Sequence, residues 1–208
     1  GHYEPGSLIW HSRWTTTSHA LECREALAMP GDRHTAIILR RVMAVGGEVG
    51  VRVVLDPRAD FGKHGMSELT RNRGRWTARC GSLHLRWSGG EKAKVDADGR
   101  LELELWVRDG QHHDLVLEIS DRPLPDDPPV SDRLWHSTET AWGSAPTVTG
   151  TLADRDADHA VAVLRGMTSA GGGMVAGATT SLPERFDRDG NYDYRYAWIR
   201  DQCYAGQA

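Results

Sequence analysis

Between Tyr192 and Asp201 the stretch YDYRYAWIRD packs three tyrosines, one tryptophan, two arginines and two aspartates into ten residues. Aromatic faces lie well against the C–H surfaces of sugar rings, and Arg and Asp make charge-assisted hydrogen bonds to ring hydroxyls. Residues of these types grip carbohydrate. The same composition also fits an aromatic helix start packed in a core, with Arg and Asp in a structural ion pair, since such pairs are common. Arg200 and Asp201 are adjacent, so on a helix their side chains diverge by about 100°. That splay suits two hydroxyls of one ring better than a bond between the two side chains.

Other chemistries find less support. The ten histidines include no HExxH or HxxxH pair. His112 and His113 are neighbours on an expected strand and face opposite ways, so no metal site is expected. Gly171-Gly172-Gly173 lacks the Lys-Ser/Thr of a phosphate loop, and no GxGxxG follows a strand. No GxSxG elbow marks a nucleophilic serine. No cofactor is expected.

The elements that must carry the cluster fall into two kinds. Over residues 7–120 apolar residues recur with period two, as in Leu101, Leu103, Leu105 and Val107, which predicts strands with one buried face. Asp109-Gly110, Gly46-Gly47, Gly89-Gly90 and Asp96–Gly99 punctuate them, and Asp-Gly between alternating runs predicts a hairpin. Eight or nine strands at spacings near ten residues predict a mainly β, antiparallel sandwich. Residues 57–74 show no clear alternation and read as a loop. The run RPLPDDPP over residues 122–129 must be a linker, because its prolines break regular pairing. Ser131 or Asp132 can cap a helix bearing Leu134, Trp135, Thr138 and Trp142 on one face. A second helix is expected from Asp154 to Ser169, with Asp154, Asp156 and Asp158 at its positive end, an apolar stripe of Ala157, Ala160, Val161, Leu164 and Met167, and the triple glycine as its stop.

The 208 residues contain 39% hydrophobic and 26% charged residues and carry a net charge of −4. That is ordinary for a globular protein, large enough for a sizeable core. The mild acidity argues against a general nucleic-acid partner. The longest strictly apolar run is five residues, Ala160–Leu164, so no membrane partner is expected. No secretion signal is expected, and Cys23, Cys80 and Cys203 form no CxxC, so reduced thiols and a cytoplasmic location are expected.

The stretches GGGMVAGATTSLPE (171–184) and NYDYRYAWIRD (191–201) resemble the entry to the catalytic domain of glycoside hydrolase family 15, which includes bacterial glucoamylases, glucodextranases and trehalases. Upstream, Tyr3–Leu8 resembles a late strand of the family's N-terminal domain, and the Pro-rich linker and the helix with Trp142 resemble its connector. Gly177, Ala178 and Ala197 depart from the commoner Ala, Pro and Cys, and none of them is a sugar ligand. The resemblance implies an antiparallel β-sandwich of the super-sandwich type, then a connector helix and the first helices of an (α/α)₆ barrel. The expected domains are a sandwich at 1–121 lacking its first strands, a linker and connector at 122–152, and a truncated barrel start at 153–208.

The family inverts the anomeric centre with two glutamates, one acid and one base. These lie downstream of the Arg-Asp motif, so no catalytic residue is expected in this chain, and Glu184 reads as structural. The resemblance implies that Arg200 and Asp201 bind hydroxyls of a terminal, non-reducing glucose and that Tyr194 and Trp198 form walls of that subsite. The implied partners are an α-glucoside, trehalose or a maltooligosaccharide, and the rest of the barrel, with self-association through exposed barrel helices. The competing reading is a non-catalytic β-sandwich module that binds carbohydrate or docks another domain.

Overall fold

The computed structural model describes residues 1–144, 147–169, 171–178 and 192–207. Two compact units emerge, one from Gly1–Glu4 with Ile9–Gly143 and one from Pro5–Leu8 with Ser144–Ala208. The motif portion 179–191, including Glu184, lies outside the described residues.

The first unit is mainly antiparallel β. Its strands are β1 (His2–Tyr3), β2 (Trp10–Thr15), β3 (Ala20–Leu27), β4 (Thr35–Val45), β5 (Val49–Leu55), β6 (Met66–Asn72), β7 (Arg75–Cys80), β8 (Leu83–Ser88), β9 (Lys94–Val95), β10 (Leu101–Val107) and β11 (His112–Ser120). They form an eight-stranded sheet in the order β1-β2-β3-β4-β11-β8-β7-β6 and a three-stranded sheet in the order β5-β10-β9. The period-two alternation becomes an open sandwich. Leu101, Leu103, Leu105 and Val107 of the small sheet bury against Cys23, Val42, Trp87 and Leu115 of the large one. Burying each such aliphatic side chain contributes about 1.5–3 kcal/mol. Three strands cover eight incompletely, and beside β5 a cavity of about 460 Å³ remains, walled by Ile38, Val53, Leu55, Leu85, Leu117 and Ile119.

Three turns that read as hairpins do something else. β4 and β5 flank Gly46-Gly47, β8 and β9 flank Gly89-Gly90, and β10 and β11 flank Asp109-Gly110, yet each pair belongs to different sheets. These turns carry the chain from one layer to the other. Two of them lock together: Gly46 N–H donates to Asp109 Oδ1 at 2.7 Å and Gly110 N–H donates to the Ala44 carbonyl at 3.0 Å. Asp96–Gly99 does join a true hairpin, pairing Val95 with Leu101.

The expected loop at 57–74 also differs. It holds the one-turn segment α1 (Ala59–Gly62), whose Asp60 and Phe61 take left-handed φ of 51° and 57°, and then β6. β6 hides its strand character because its register shifts between Ser67 and Thr70, where Glu68 takes a φ of 53°. Such a bulge breaks the alternation on which strand recognition rests.

α2 (Ser131–Gly143) packs on the outer face of the large sheet and buries Trp135, Thr138 and Trp142, as its periodicity requires. Trp135 lies between two guanidinium groups, with Arg24 4.9 Å and Arg41 5.4 Å from its ring. Thr138 Oγ1 accepts from Met29 N–H at 2.9 Å, and Ser137 Oγ donates to the Met29 carbonyl at 2.9 Å. The linker before α2 is fastened too, because Arg86 donates to the Pro125 carbonyl while paired with Glu118 at 2.5 and 2.7 Å.

In the second unit, α3 (Asp154–Gly166) ends three residues earlier than its pattern suggests, at Gly166 rather than at the triple glycine. Gly166 is the last helical residue, and Met167 N–H closes the last turn on the Val163 carbonyl. Asp154 accepts from the Thr151 N–H and hydroxyl, both at 2.7 Å, and Asp158 accepts from Val148 N–H at 2.6 Å. α4 (Ile199–Ala205) follows the aromatic cluster. No helix among the described residues is long and apolar enough to cross a membrane.

Candidate functional site

The two C-terminal motifs meet within the second unit. Ala176 N–H donates to the Tyr196 carbonyl at 3.1 Å, and Gly177 N–H donates to the Tyr194 carbonyl at 2.8 Å. The small-residue stretch therefore runs beside Tyr194–Tyr196, and Gln202 Nε2 on α4 reaches back to the Gly172 carbonyl at 3.1 Å. Small residues allow this close backbone approach. Tyr194 enters the site through its carbonyl, with the residue 39% exposed.

Trp198 sits at the start of α4 in extended conformation, φ −102° and ψ 126°. That turn aims its ring between two neighbours. The Tyr192 ring meets it edge-on at 5.7 Å, and the Arg200 guanidinium lies 5.7 Å from its centroid. The Trp198 indole N–H is buried and has no acceptor among the described residues. Tyr192, the aromatic partner of Trp198, lies six residues from it across a bend, a spacing that carries no periodic signal.

Arg200 Nη2 and Asp201 Oδ2 form an ion pair at 3.1 Å. This corrects the expectation that the splay of adjacent helical positions disfavours such a bond: the long arginine stem folds back and spans it. Both ends remain reachable by solvent, with side-chain exposures of 68% and 31%. Arg195 and Asp193 form a second pair at 2.8 and 2.6 Å. The Arg195 side chain and backbone N–H hold the Asp193 carboxyl down to about 2.

One group of possible metal ligands exists among the described residues, in the first unit: His112, Asp114 and Asp132. Arg41 already occupies both carboxylates, donating to Asp114 at 2.7 Å and to Asp132 at 2.8 Å. Burial pushes the Asp114 carboxyl up, yet the Arg41 hydrogen bonds outweigh it and keep it low. The group is a salt-bridge cluster tying α2 to the sheet. Its members lie far apart in sequence, so no local spacing announces it.

Residues 160–208 match the profile of the glycosyl hydrolases family 15. The chain resembles the family 15 glycosyl hydrolases. A trehalase of Mycobacterium tuberculosis is 29% identical over 236 residues, covering 98% of this chain and 34% of that protein. A trehalase of Mycolicibacterium smegmatis is 28% identical over 235 residues, again 98% of this chain and 34% of its own length. A trehalase of Thermoplasma acidophilum is 39% identical over 78 residues, which are 36% of this chain and 13% of that one. The chain thus spans about a third of the length of the mycobacterial relatives it matches. The family 15 match begins inside α3 and takes in the whole aromatic cluster and α4.

Proposed function

We propose that this chain is the N-terminal part of an α-glucoside hydrolase that releases glucose from the non-reducing end of trehalose or a maltooligosaccharide, with inversion. One observation carries the reading: similarity to a trehalase runs through 98% of the chain. It is not confined to the family 15 segment. Trehalose is the first substrate to test, because both mycobacterial relatives bear that name.

In this reading Arg200 and Asp201 donate to and accept from hydroxyls of the terminal glucose, and Tyr194 and Trp198 wall its ring. Three features support it. Arg200 and Asp201 form a solvent-reachable pair whose partners can be exchanged for a ligand. The Trp198 ring packs against the Arg200 guanidinium at 5.7 Å and so belongs to the same cluster. Backbone bonds to Ala176 and Gly177 fix the cluster in place. An inverting reaction also needs a proton donor and a water-activating base, and these belong to segments downstream of Asp201. The 208-residue chain by itself is accordingly inert.

The test is product analysis of the longer protein on trehalose, maltose and isomaltose, with Asp201→Ala and Arg200→Ala beside it. Losing a charge-assisted bond that tightens as the ring distorts costs about 2–4 kcal/mol, or about 30- to 1,000-fold in kcat/KM. Stability should change by under about 1 kcal/mol, the worth of an exposed pair. Near-normal activity in both variants, or glucose release by the 208-residue chain, refutes the assignment.

A further inference from the structure

We propose that the first unit carries a second, non-catalytic saccharide site, in the polar pocket between the β6–β7 turn, the start of β11 and the start of α2. The pocket holds about 450 Å³, within the roughly 300–1,000 Å³ of small-molecule sites. Its floor is Val116 and Ser88, on the face of the large sheet away from the small one.

The groups around it are of mixed sign: Asp114 and Asp132 are held by Arg41, whereas Arg73, Arg75 and Glu91 keep free side-chain charges among the described residues. Ser88 Oγ is buried without a hydrogen-bond partner among the described residues. Arg73 and Arg75 stand at the rim, and neither guanidinium has a partner among the described residues. The Glu91 carboxylate faces the same space without an ion pair among them, its stem packed near Gly74. Pro128 and Pro129 add a rigid C–H surface on the far wall.

This balance decides the class of ligand. An anion would be drawn by Arg73 and Arg75 but repelled by Glu91, and the charges of Asp114 and Asp132 are already shared with Arg41. A cation at the carboxylates would meet Arg41, which already bridges Asp114 and Asp132. A neutral polyol uses donors and acceptors together. Its hydroxyls can accept from Arg75 and donate to Glu91, while an apolar ring face rests on the prolines. The site is in the first unit and shares no residue with Tyr192–Gln202. Only the choice of glucosides as probes rests on the proposed function.

Binding is read on the isotope-labelled 208-residue chain by amide chemical shifts, titrating trehalose, maltose and isomaltose separately, then inorganic phosphate and Mn²⁺. Saturable shifts at Arg73–Arg75, Ser88–Glu91 and His112–Asp114 with at least one glucoside are expected. Arg75→Ala and Glu91→Gln should each weaken that binding by about tenfold or more, with the remaining spectrum unchanged. Glu91→Gln keeps the side-chain shape, so it stands if Arg75→Ala disturbs the turn. The proposal is overturned if no glucoside shifts these amides, if shifts fall only at Tyr192–Gln202, if phosphate or Mn²⁺ binds there in preference, or if both variants bind as the parent does. Hydrolysis by the longer protein is measured separately, so losing this site leaves that reading standing, and the reverse.

Discussion

Removing the Glu118 carboxylate should strongly destabilise the first unit. Arg86 and Glu118 are almost fully buried, with side-chain exposures of 7% and 4%, and make two parallel bonds at 2.5 and 2.7 Å. Arg86 also donates to the Pro125 carbonyl, so the pair fastens the linker to the sheet. In Glu118→Ala the guanidinium stays buried with one neutral acceptor. Breaking a buried pair by deleting one partner costs about 3–5 kcal/mol, a large share of the 5–15 kcal/mol of a typical domain. With a urea slope of about 2 kcal/mol per molar, the midpoint should fall by about 2 M. At about 3–5 °C per kcal/mol, Tm should drop by about 10–20 °C. The assay is urea unfolding followed by tryptophan fluorescence, since Trp87 and Trp135 are buried in this unit. The double variant Arg86→Met/Glu118→Leu should recover most of the loss, because an apolar pair of similar volume needs no desolvation of charge. It should still fall short by about 1–3 kcal/mol for the unsatisfied Pro125 carbonyl. A loss under about 1 kcal/mol in Glu118→Ala, at unchanged slope, refutes the reasoning.

Two further outcomes follow from the thiols and from Asp193. Cys203 is exposed, whereas Cys23 and Cys80 are buried, and burial, with Glu25 nearby, pushes the Cys23 thiol up to about 11. A thiol reagent should therefore modify Cys203 rapidly in the native chain and the other two only after denaturation; fast modification of a buried thiol contradicts the packing. The Asp193 carboxyl, depressed to about 2 by Arg195, should titrate there by NMR, and Arg195→Ala should return it toward 3.8. Because the folded value is the lower one, its stabilising contribution is complete above 3.8 and is lost as pH falls through about 2. A midpoint near 3.8 in the parent would show that the pair does not form.

Much of the β layer was legible because burial imposes a period of two. β4 and β5 occupy the segments their alternation marks, Thr35–Val45 and Val49–Leu55. Connectivity was not legible in the same way. Gly-Gly and Asp-Gly report a turn needing positive φ, and both a hairpin and a step between layers satisfy that need. Gly46 and Gly110 do take φ of 81° and 69°, in turns that change sheet. β6 stayed hidden behind its bulge at Glu68. At the C-terminal cluster the residue types were legible, but the Arg200–Asp201 bond depends on side-chain torsions that spacing does not encode. The polar pocket was invisible because Arg75, Ser88, His112 and Asp132 come from four separate elements or their ends.

The sheet-switching turns also govern how the first unit can be made. Because Gly46-Gly47 and Asp109-Gly110 send their flanking strands to opposite layers, β4 cannot fold back on β5. β4 waits for β11, with Thr35 pairing Ser120 and Met43 pairing His112, and β5 waits for β10, with Val49 pairing Val107. A chain emerging from the ribosome can close β2 on β3 and β3 on β4 early, but the small sheet stays open until residue 107 has cleared the exit tunnel and the centre of the large one until residue 120 has. For that interval β4 offers one unpaired edge, and Ile38, Val42 and Ala44 have no opposing layer. Assembly of the core is thus a late, all-at-once event of high contact order, slow by the standards of hairpin-built proteins, and nascent chains stalled between β5 and β11 should be the ones that chaperones hold.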